Sequence, residues 1–85
     1  MAEVLVSLRV MPKSIEVDLD KLEQKIKESI SPERVQRNPI AFGIVAFNVI
    51  KIIPDDAKEL DLLENKLKSI EEVGEVEVTE ITRSL

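Results

Sequence analysis

The spacing of apolar residues changes along the chain, and each change marks a predicted element. Residues 3–11 alternate apolar and polar positions, which is the period of a β-strand, and Pro12 ends the run. Apolar residues then recur every three or four positions between charged ones, a pattern typical of an amphipathic helix. Either Asp18 or Asp20 can cap this helix, and Asp20 with Glu23 resembles a capping box. The helical stripe consists of Leu19, Leu22, Ile26 and Ile30.

The middle of the chain predicts two strands joined by a turn. Residues 34–38 form a short, polar candidate strand, closed by a proline that favours a sheet edge. Residues 44–53 are an almost continuous run of β-branched and aromatic residues, which indicates a central strand. Between them, residues 39–43 begin with proline and end with glycine, so we expect a turn there.

The last third of the chain predicts a second helix and a final strand. Asp56 and Glu59 form another candidate capping box, and Gly74 is the expected C-terminal stop. Residues 75–83 alternate only weakly, with Ile81 out of phase, as in a charged and partly buried edge strand. The stripe of this helix consists of Leu60, Leu63, Leu67 and Ile70.

The order strand, helix, strand, strand, helix, strand predicts a ferredoxin-like α/β sandwich (α+β, βαββαβ). Right-handed crossovers give a four-stranded antiparallel sheet with two helices on one face. The other face is then left to water or to a partner. We expect it to carry the following residues or their neighbours: Arg9, Met11, Val45 and Phe47.

Composition narrows the possible chemistry. The 85 residues suit one domain, residues 1–85, with 44% hydrophobic and 34% charged residues. The chain has neither cysteine nor histidine, which excludes disulfides, zinc ribbons and Ser-His or Cys-His nucleophiles. A net charge of −5 disfavours direct binding to nucleic acid. The acidity instead favours a partner with a basic surface.

Several ligands and locations are also disfavoured. Two isolated glycines cannot form a phosphate-binding loop, so we expect no bound nucleotide, and no cofactor or metal set is evident. The uncharged stretch 38–50 is about half the length of a membrane span. The N-terminus lacks the basic residues of a secretory signal, so we expect a cytoplasmic protein without membrane contact.

Two positions stand out as candidate contacts with a partner. Phe42 and Phe47 are the two aromatic residues, and a core position is the ordinary expectation for each. Phe42, however, lies in the predicted turn between Ala41 and Gly43, where its ring can point outward and anchor an interface. Arg83 lies near the C-terminus, where a frayed tail is usual, but an arginine there can reach an acidic pocket on another molecule.

The acidic second half is less specific. Residues 54–80 carry ten acidic residues, which are typical of a solvated helix surface with pairs such as Glu64 with Lys68. The neighbouring acids Asp55 and Asp56 are more typical of a helix cap than of general acid-base chemistry. The chain is therefore not expected to be an enzyme.

Three stretches carry a resemblance to a known family: residues 6–12, 38–49 (NPIAFGIVAFNV) and 76–83. Together they resemble archaeal translation elongation factor 1-beta over essentially the whole chain, and the proline-to-glycine turn is the most specific element. The resemblance implies a ferredoxin-like domain that exchanges guanine nucleotide on the GTPase elongation factor 1-alpha, without covalent chemistry of its own.

The resemblance also implies where the partner binds. In the family the turn aromatic, matched by Phe42, wedges against the GTPase, and a basic residue near the C-terminus disturbs its magnesium and phosphate site. Eukaryotic relatives place a lysine at the penultimate position, where this chain has Ser84, and Arg83 is the nearest base. The predicted contact residues are Pro39, Ile40, Ala41, Phe42, Gly43 and Arg83.

Two other functions stay open on the residues alone. One is a small-molecule-binding or subunit-pairing regulatory domain of the same fold, which would need a pocket on the open sheet face. The other is a weak hydrolase, which the missing histidine disfavours. An RNA-recognition domain would need stacking aromatics on its central strands, and the pattern offers none.

Overall fold

Six elements alternate along the chain in the order that the polarity pattern predicts. The computed structural model describes residues 2–83. The elements are β1 (Glu3–Pro12), α1 (Leu19–Ile30), β2 (Arg34–Ala41), β3 (Ile44–Pro54), α2 (Ala57–Lys68) and β4 (Val73–Thr82). The strands form one antiparallel sheet in the order β2-β3-β1-β4, and the fold is ferredoxin-like, as predicted.

The core lies between one face of the sheet and the two helices. Phe47 is the largest fully buried side chain, and it lies opposite Val10 of β1. Burial of such side chains supplies the main driving force for folding, at about 25 cal/mol per Å² of apolar surface. The core also includes Val4, Val6, Leu8, Leu22, Ile26, Val49, Ile53, Leu63 and Leu67.

The open face of the sheet differs in part from the prediction. Arg9 and Met11 do lie on it, since they alternate with the buried residues of β1. Val45 and Phe47 lie on the helix side instead. Phe47 pairs with the buried Val10, and Val45, two residues away in the same strand, is on the same side as Phe47. The expectation failed because β3 is apolar at nearly every position, and such a run does not indicate which alternate residues face inward.

A β-bulge explains why Ile81 is out of phase in the sequence. Ser7 of β1 pairs with Glu80, but Leu8 pairs with Val78, so β4 contains one extra residue at Thr79. The Thr79 hydroxyl lies 3.1 Å from the carbonyl oxygen of Ser7, to which it donates a hydrogen bond. The extra residue turns Ile81 back toward the core, where it packs.

Three of the predicted helix signals were wrong. Asp18 caps α1, and its carboxylate accepts from the backbone N–H of Asp20 at 3.1 Å. Asp20 and Glu23 form no capping box, because their carboxylates instead bind Arg37 of β2. At the second helix, Asp56 is the N-cap as expected, with its carboxylate 2.8 Å from the backbone nitrogen of Lys58. It forms no capping box with Glu59, because the backbone nitrogen of Asp56 donates to the carbonyl oxygen of Pro54 instead.

Gly74 does not stop α2 as expected, since the helix ends at Lys68 and Gly74 lies within β4. A Cβ at this position would come within 2.8 Å of the Cα of Lys13. The glycine is therefore required by the close approach of the chain after β1. Both helices have twelve residues, and no helix within residues 2–83 combines the length and hydropathy needed to cross a membrane.

Candidate partner-binding site

The connection between β2 and β3 consists of only two residues, Phe42 and Gly43. Their φ angles are +51° and +78°, and positive φ at both central positions is what a tight type I′ hairpin turn requires. Glycine adopts this backbone freely, but for a bulky residue it costs about 1–3 kcal/mol. The Phe42 side chain is 96% exposed, so no burial of its ring within the domain offsets this strain.

The other predicted contact residues of this region lie in β2 rather than in the turn. Pro39 pairs with Val45 and Ala41 pairs with Ile44, with a register irregularity between them at Ile40. Pro39 is tolerated because β2 is an edge strand, where one side of the backbone needs no partner. The strand thus continues three residues further than predicted, and all residues from 39 to 43 are exposed at one end of the sheet.

A second exposed apolar residue lies beside the turn. Ile15, in the loop between β1 and α1, is 70% exposed. It lines a pocket of about 140 Å³ together with Met11, Leu19, Gly43 and Ile44. The sequence pattern did not single out Ile15, because one isoleucine between polar residues has no periodicity. Its signal was a β-branched residue that alternates with Val17 in an otherwise polar connection.

Arg83 lies at the other end of the sheet and already has an acidic neighbour. Its Nε atom is 3.5 Å from a carboxylate oxygen of Asp55, and two thirds of the side chain is exposed. Both residues line a pocket of about 150 Å³ whose walls include Ile53 and Leu60. A pair this exposed is weak, so a stronger acidic group could draw the arginine away. Ser84, the penultimate position, lies outside the described residues.

The two predicted contact points are therefore not one site. Leu5 pairs with Thr82 at one end of the sheet, whereas Phe42 follows the last residue of β2 at the opposite end. Eleven residues of β3 run from one end to the other, about 33 Å at the usual rise per residue. The longest dimension of the molecule is 41 Å. One partner that contacts both Phe42 and Arg83 has to extend along the whole sheet.

Many acidic groups of the second half serve in ion pairs. The expected pair of Glu64 with Lys68 is present at 3.8 Å, and Arg9 lies 3.3 Å from Glu77 on the open face. The ammonium of Lys25 donates to both carboxylate oxygens of Glu72, at 2.9 and 2.8 Å. These hydrogen bonds hold the pKa of Glu72 below its ordinary value.

The side chains brought together at each end suit recognition rather than bond chemistry. Among residues 2–83, no three acidic side chains converge as a metal site would require. Asp56 caps a helix and Asp55 faces Arg83, so both neighbouring acids have structural partners. What the arrangement offers is an exposed aromatic residue beside an apolar pocket at one end, and an exposed arginine at the other.

Comparisons with a family profile and with individual known proteins indicate the same family. A profile described as the EF-1 guanine nucleotide exchange domain matches residues 5–83. Proteins named elongation factor 1-beta are similar over nearly the full length of both chains. That of Methanosphaera stadtmanae is 38% identical, with 98% of each chain covered. That of Methanothermobacter thermautotrophicus is 39% identical, again with 98% of each chain covered.

A solved structure supports the fold alone. The ACT domain from GTP pyrophosphokinase of Chlorobium tepidum superposes with a TM-score of 0.65 and 21% identity. The match covers 89% of this chain and 97% of that domain. At this level of identity the likeness concerns the arrangement of strands and helices, and it carries no information about ligands.

Proposed function

The chain belongs to the EF-1 guanine nucleotide exchange domain family, and from that membership we propose that it binds elongation factor 1-alpha through its β2–β3 turn. It is a guanine nucleotide exchange factor of translation elongation, of the elongation factor 1-beta type. The finer proposal concerns how the contact is made. Phe42 is the anchor, and residues 39–43 form the surface around it.

One observation carries this proposal: a strained backbone holds a fully exposed aromatic ring. The fold would be served as well by glycine or asparagine at position 42, since either tolerates the positive φ that Phe42 adopts. The ring makes no contribution to the core. An aromatic residue that costs the domain energy and exposes its whole surface to water is well suited to bury that surface against a partner.

Exchange by such a contact is a matter of differential binding. A factor that binds the nucleotide-free GTPase more tightly than the GDP-bound form weakens GDP binding by the same ratio. A thousandfold faster release requires stabilising the transition state for release by about 4 kcal/mol. One desolvated aromatic anchor together with a charge acting at the nucleotide site can supply an effect of this order.

We assign that charge to Arg83, at the end of the molecule remote from the turn. Its guanidinium leaves the weak pair with Asp55 and approaches the magnesium and phosphate site of the GTPase. The domain then lies lengthwise on its partner, with the turn at one contact and Arg83 at the other. The opposite positions of the two residues in the sheet support this arrangement.

The remaining expectations belong to the same proposal. Residues 1–85 act as one exchange domain in the cytoplasm, where elongation takes place. The chain performs no covalent chemistry, binds no nucleotide or cofactor itself, and contacts neither nucleic acid nor membrane. A small-molecule-binding or subunit-pairing regulatory domain is the alternative. It is supported by the shared fold and by an open depression on the open sheet face, lined by residues that include Ser7, Gln36 and Asn48.

The test is release of a fluorescent GDP analogue from elongation factor 1-alpha of the same organism. The GTPase is preloaded with the analogue, excess GTP is added, and release is followed with and without this protein. Acceleration at substoichiometric protein is the expected result. If a folded sample leaves the release rate of an active GTPase unchanged, the assignment of this partner is wrong, and thermal shifts with a panel of metabolites test the alternative.

A further inference from the structure

We propose that Ile15 and the pocket beside it form a second anchor point of the same interface. The pocket receives an apolar side chain of the GTPase partner, while Ile15 is buried against that partner's surface. This inference rests on the proposed function, because the occupant is the molecule that covers Phe42. It adds a specificity-determining residue from a different part of the chain, the loop between β1 and α1.

The exposed apolar residues are concentrated at one end of the molecule. Within residues 2–83, the large apolar side chains with substantial exposure are Ile15, Ile40, Phe42 and Leu62. Three of these four lie around the β2–β3 turn, and only Leu62 of α2 lies elsewhere. Single exposed apolar residues are normal on a protein surface, whereas a group at one place indicates an interaction surface.

The pocket has the chemistry to hold one apolar side chain. Its volume of about 140 Å³ is close to that of cavities that accept a benzene-sized group. Its walls come from the end of β1, the following loop, the first residue of α1, the turn glycine and the start of β3. The apolar lining is provided by Met11, Ile15, Leu19, Ile44 and Val45.

The loop that carries Ile15 is held in place on both sides. Before it, the backbone nitrogen of Lys13 donates to the carbonyl oxygen of Glu72 at 2.9 Å. Within it, Ser14 accepts a hydrogen bond on its hydroxyl from the backbone N–H of Glu16 at 3.2 Å. After it, Val17 packs against the core. A residue presented by such a prearranged loop loses little conformational entropy on binding.

Continuity with the turn identifies the occupant. Gly43 follows Phe42 in the chain and also lines the pocket, so a surface that buries the Phe42 ring also lies next to the pocket. Interface residues with large energetic effects cluster in this way, around a well-packed and desolvated centre. The partner that an exchange factor must bind is its GTPase, and a second copy of this chain is the competing occupant.

The experiment compares Ile15→Asp with Leu62→Asp, which places the same charge at the exposed apolar site remote from the turn. Release of the fluorescent GDP analogue is measured over a range of exchange-factor concentrations, and binding to the nucleotide-free GTPase is measured by titration calorimetry. We expect Ile15→Asp to raise both the half-saturating concentration and Kd at least about tenfold. Leu62→Asp should change them less than twofold.

Three other outcomes would overturn the inference in distinguishable ways. If Phe42→Ala is impaired but Ile15→Asp matches Leu62→Asp, the turn is the contact and Ile15 is not. If the wild-type protein neither binds nor accelerates release, the proposed function and this inference fail together. If the wild type dimerises in sedimentation while Ile15→Asp is monomeric with full exchange activity, the pocket belongs to a second copy. Circular dichroism and thermal unfolding establish that each variant is folded.

Discussion

At the scale of single residues, the fold and the proposed function make opposite demands on position 42. The two-residue turn between β2 and β3 needs positive φ, which favours a small residue, yet the chain carries phenylalanine there. When the fold alone would not favour a residue at its position, that residue indicates a functional requirement, such as binding to a partner. Stability and exchange activity should therefore respond differently to substitution at this position.

We expect Phe42→Ala to lower the rate of GDP release from the GTPase at least tenfold without destabilising the domain. The exposed ring contributes no core contacts, so the free energy of unfolding should stay within about 0.5 kcal/mol of wild type. Urea denaturation and the GDP-release assay measure the two quantities. Full activity in a folded variant would exclude Phe42 as the anchor.

At the scale of elements, most of the fold could be predicted because the polarity period identified all six elements. The errors have particular causes. Ile81 required a bulge that weak alternation cannot reveal, and Phe47 lies in a strand that is apolar on both faces. Glu23 was assigned to a cap because its spacing from Asp20 fits one, whereas the folded chain brings Arg37 within 2.9 Å of it. Such long-range contacts are not encoded in local spacing.

The two glycines are constrained for different reasons, Gly74 by crowding from neighbouring atoms and Gly43 by its backbone conformation. A Cβ on Gly74 would lie 2.8 Å from the Cα of Lys13 and 3.1 Å from the carbonyl oxygen of Pro12, and neither backbone atom can move freely. We expect Gly74→Ala to destabilise the protein by about 2 kcal/mol or more. Gly43→Ala meets no atom within 4 Å and should cost about 1 kcal/mol through its positive φ. Equal losses in urea denaturation would contradict the crowding at Gly74.

The pair of Lys25 with Glu72 joins α1 to the segment before β4 and should make stability sensitive to acid. The folded state lowers the pKa of Glu72 from its ordinary value of 4.5. The stabilisation that ionised Glu72 gives the folded state is therefore present above that pH and is lost as pH falls through the folded-state pKa. We expect Glu72→Gln to be less stable than wild type at pH 7, with the difference shrinking below pH 4.5. Urea denaturation at pH 7 and at pH 3 measures this, and a constant difference would show that the charge has no role.

At the scale of the whole molecule, part of the candidate site could be predicted from the sequence and part could not. A core position was the ordinary expectation for Phe42, but its place between Ala41 and Gly43 in a predicted turn indicated that the ring can point outward, as it does. Ile15 could not be selected, because it joins the turn only through the pocket formed when β1 and β3 pair. The sequence pattern did not indicate how far apart Arg83 and Phe42 lie, whereas the antiparallel register places them at opposite ends of the sheet.

That separation predicts independent effects on exchange. Arg83→Ala should lower the maximal rate of GDP release more than it weakens binding, because its charge is assigned to the nucleotide site. Since residues far apart behave additively in free energy, the fold-losses of Phe42→Ala and Arg83→Ala should multiply in the double variant. The ratio of maximal rate to half-saturating concentration measures this for all three variants. A double variant no worse than either single one would mean that the two residues act as one unit.

The position of β1 within the sheet has a consequence for how the chain acquires its structure. Its two neighbours are the third and fourth strands, so Leu5 meets Ile52 on one side and Thr82 on the other. Bringing such distant strands together costs loop entropy before the contacts between them can form. This cost slows folding relative to helical bundles of the same length. One edge of β1, the first strand made on the ribosome, thus has no partner until β4 has emerged. The domain completes its folding only after synthesis has reached β4.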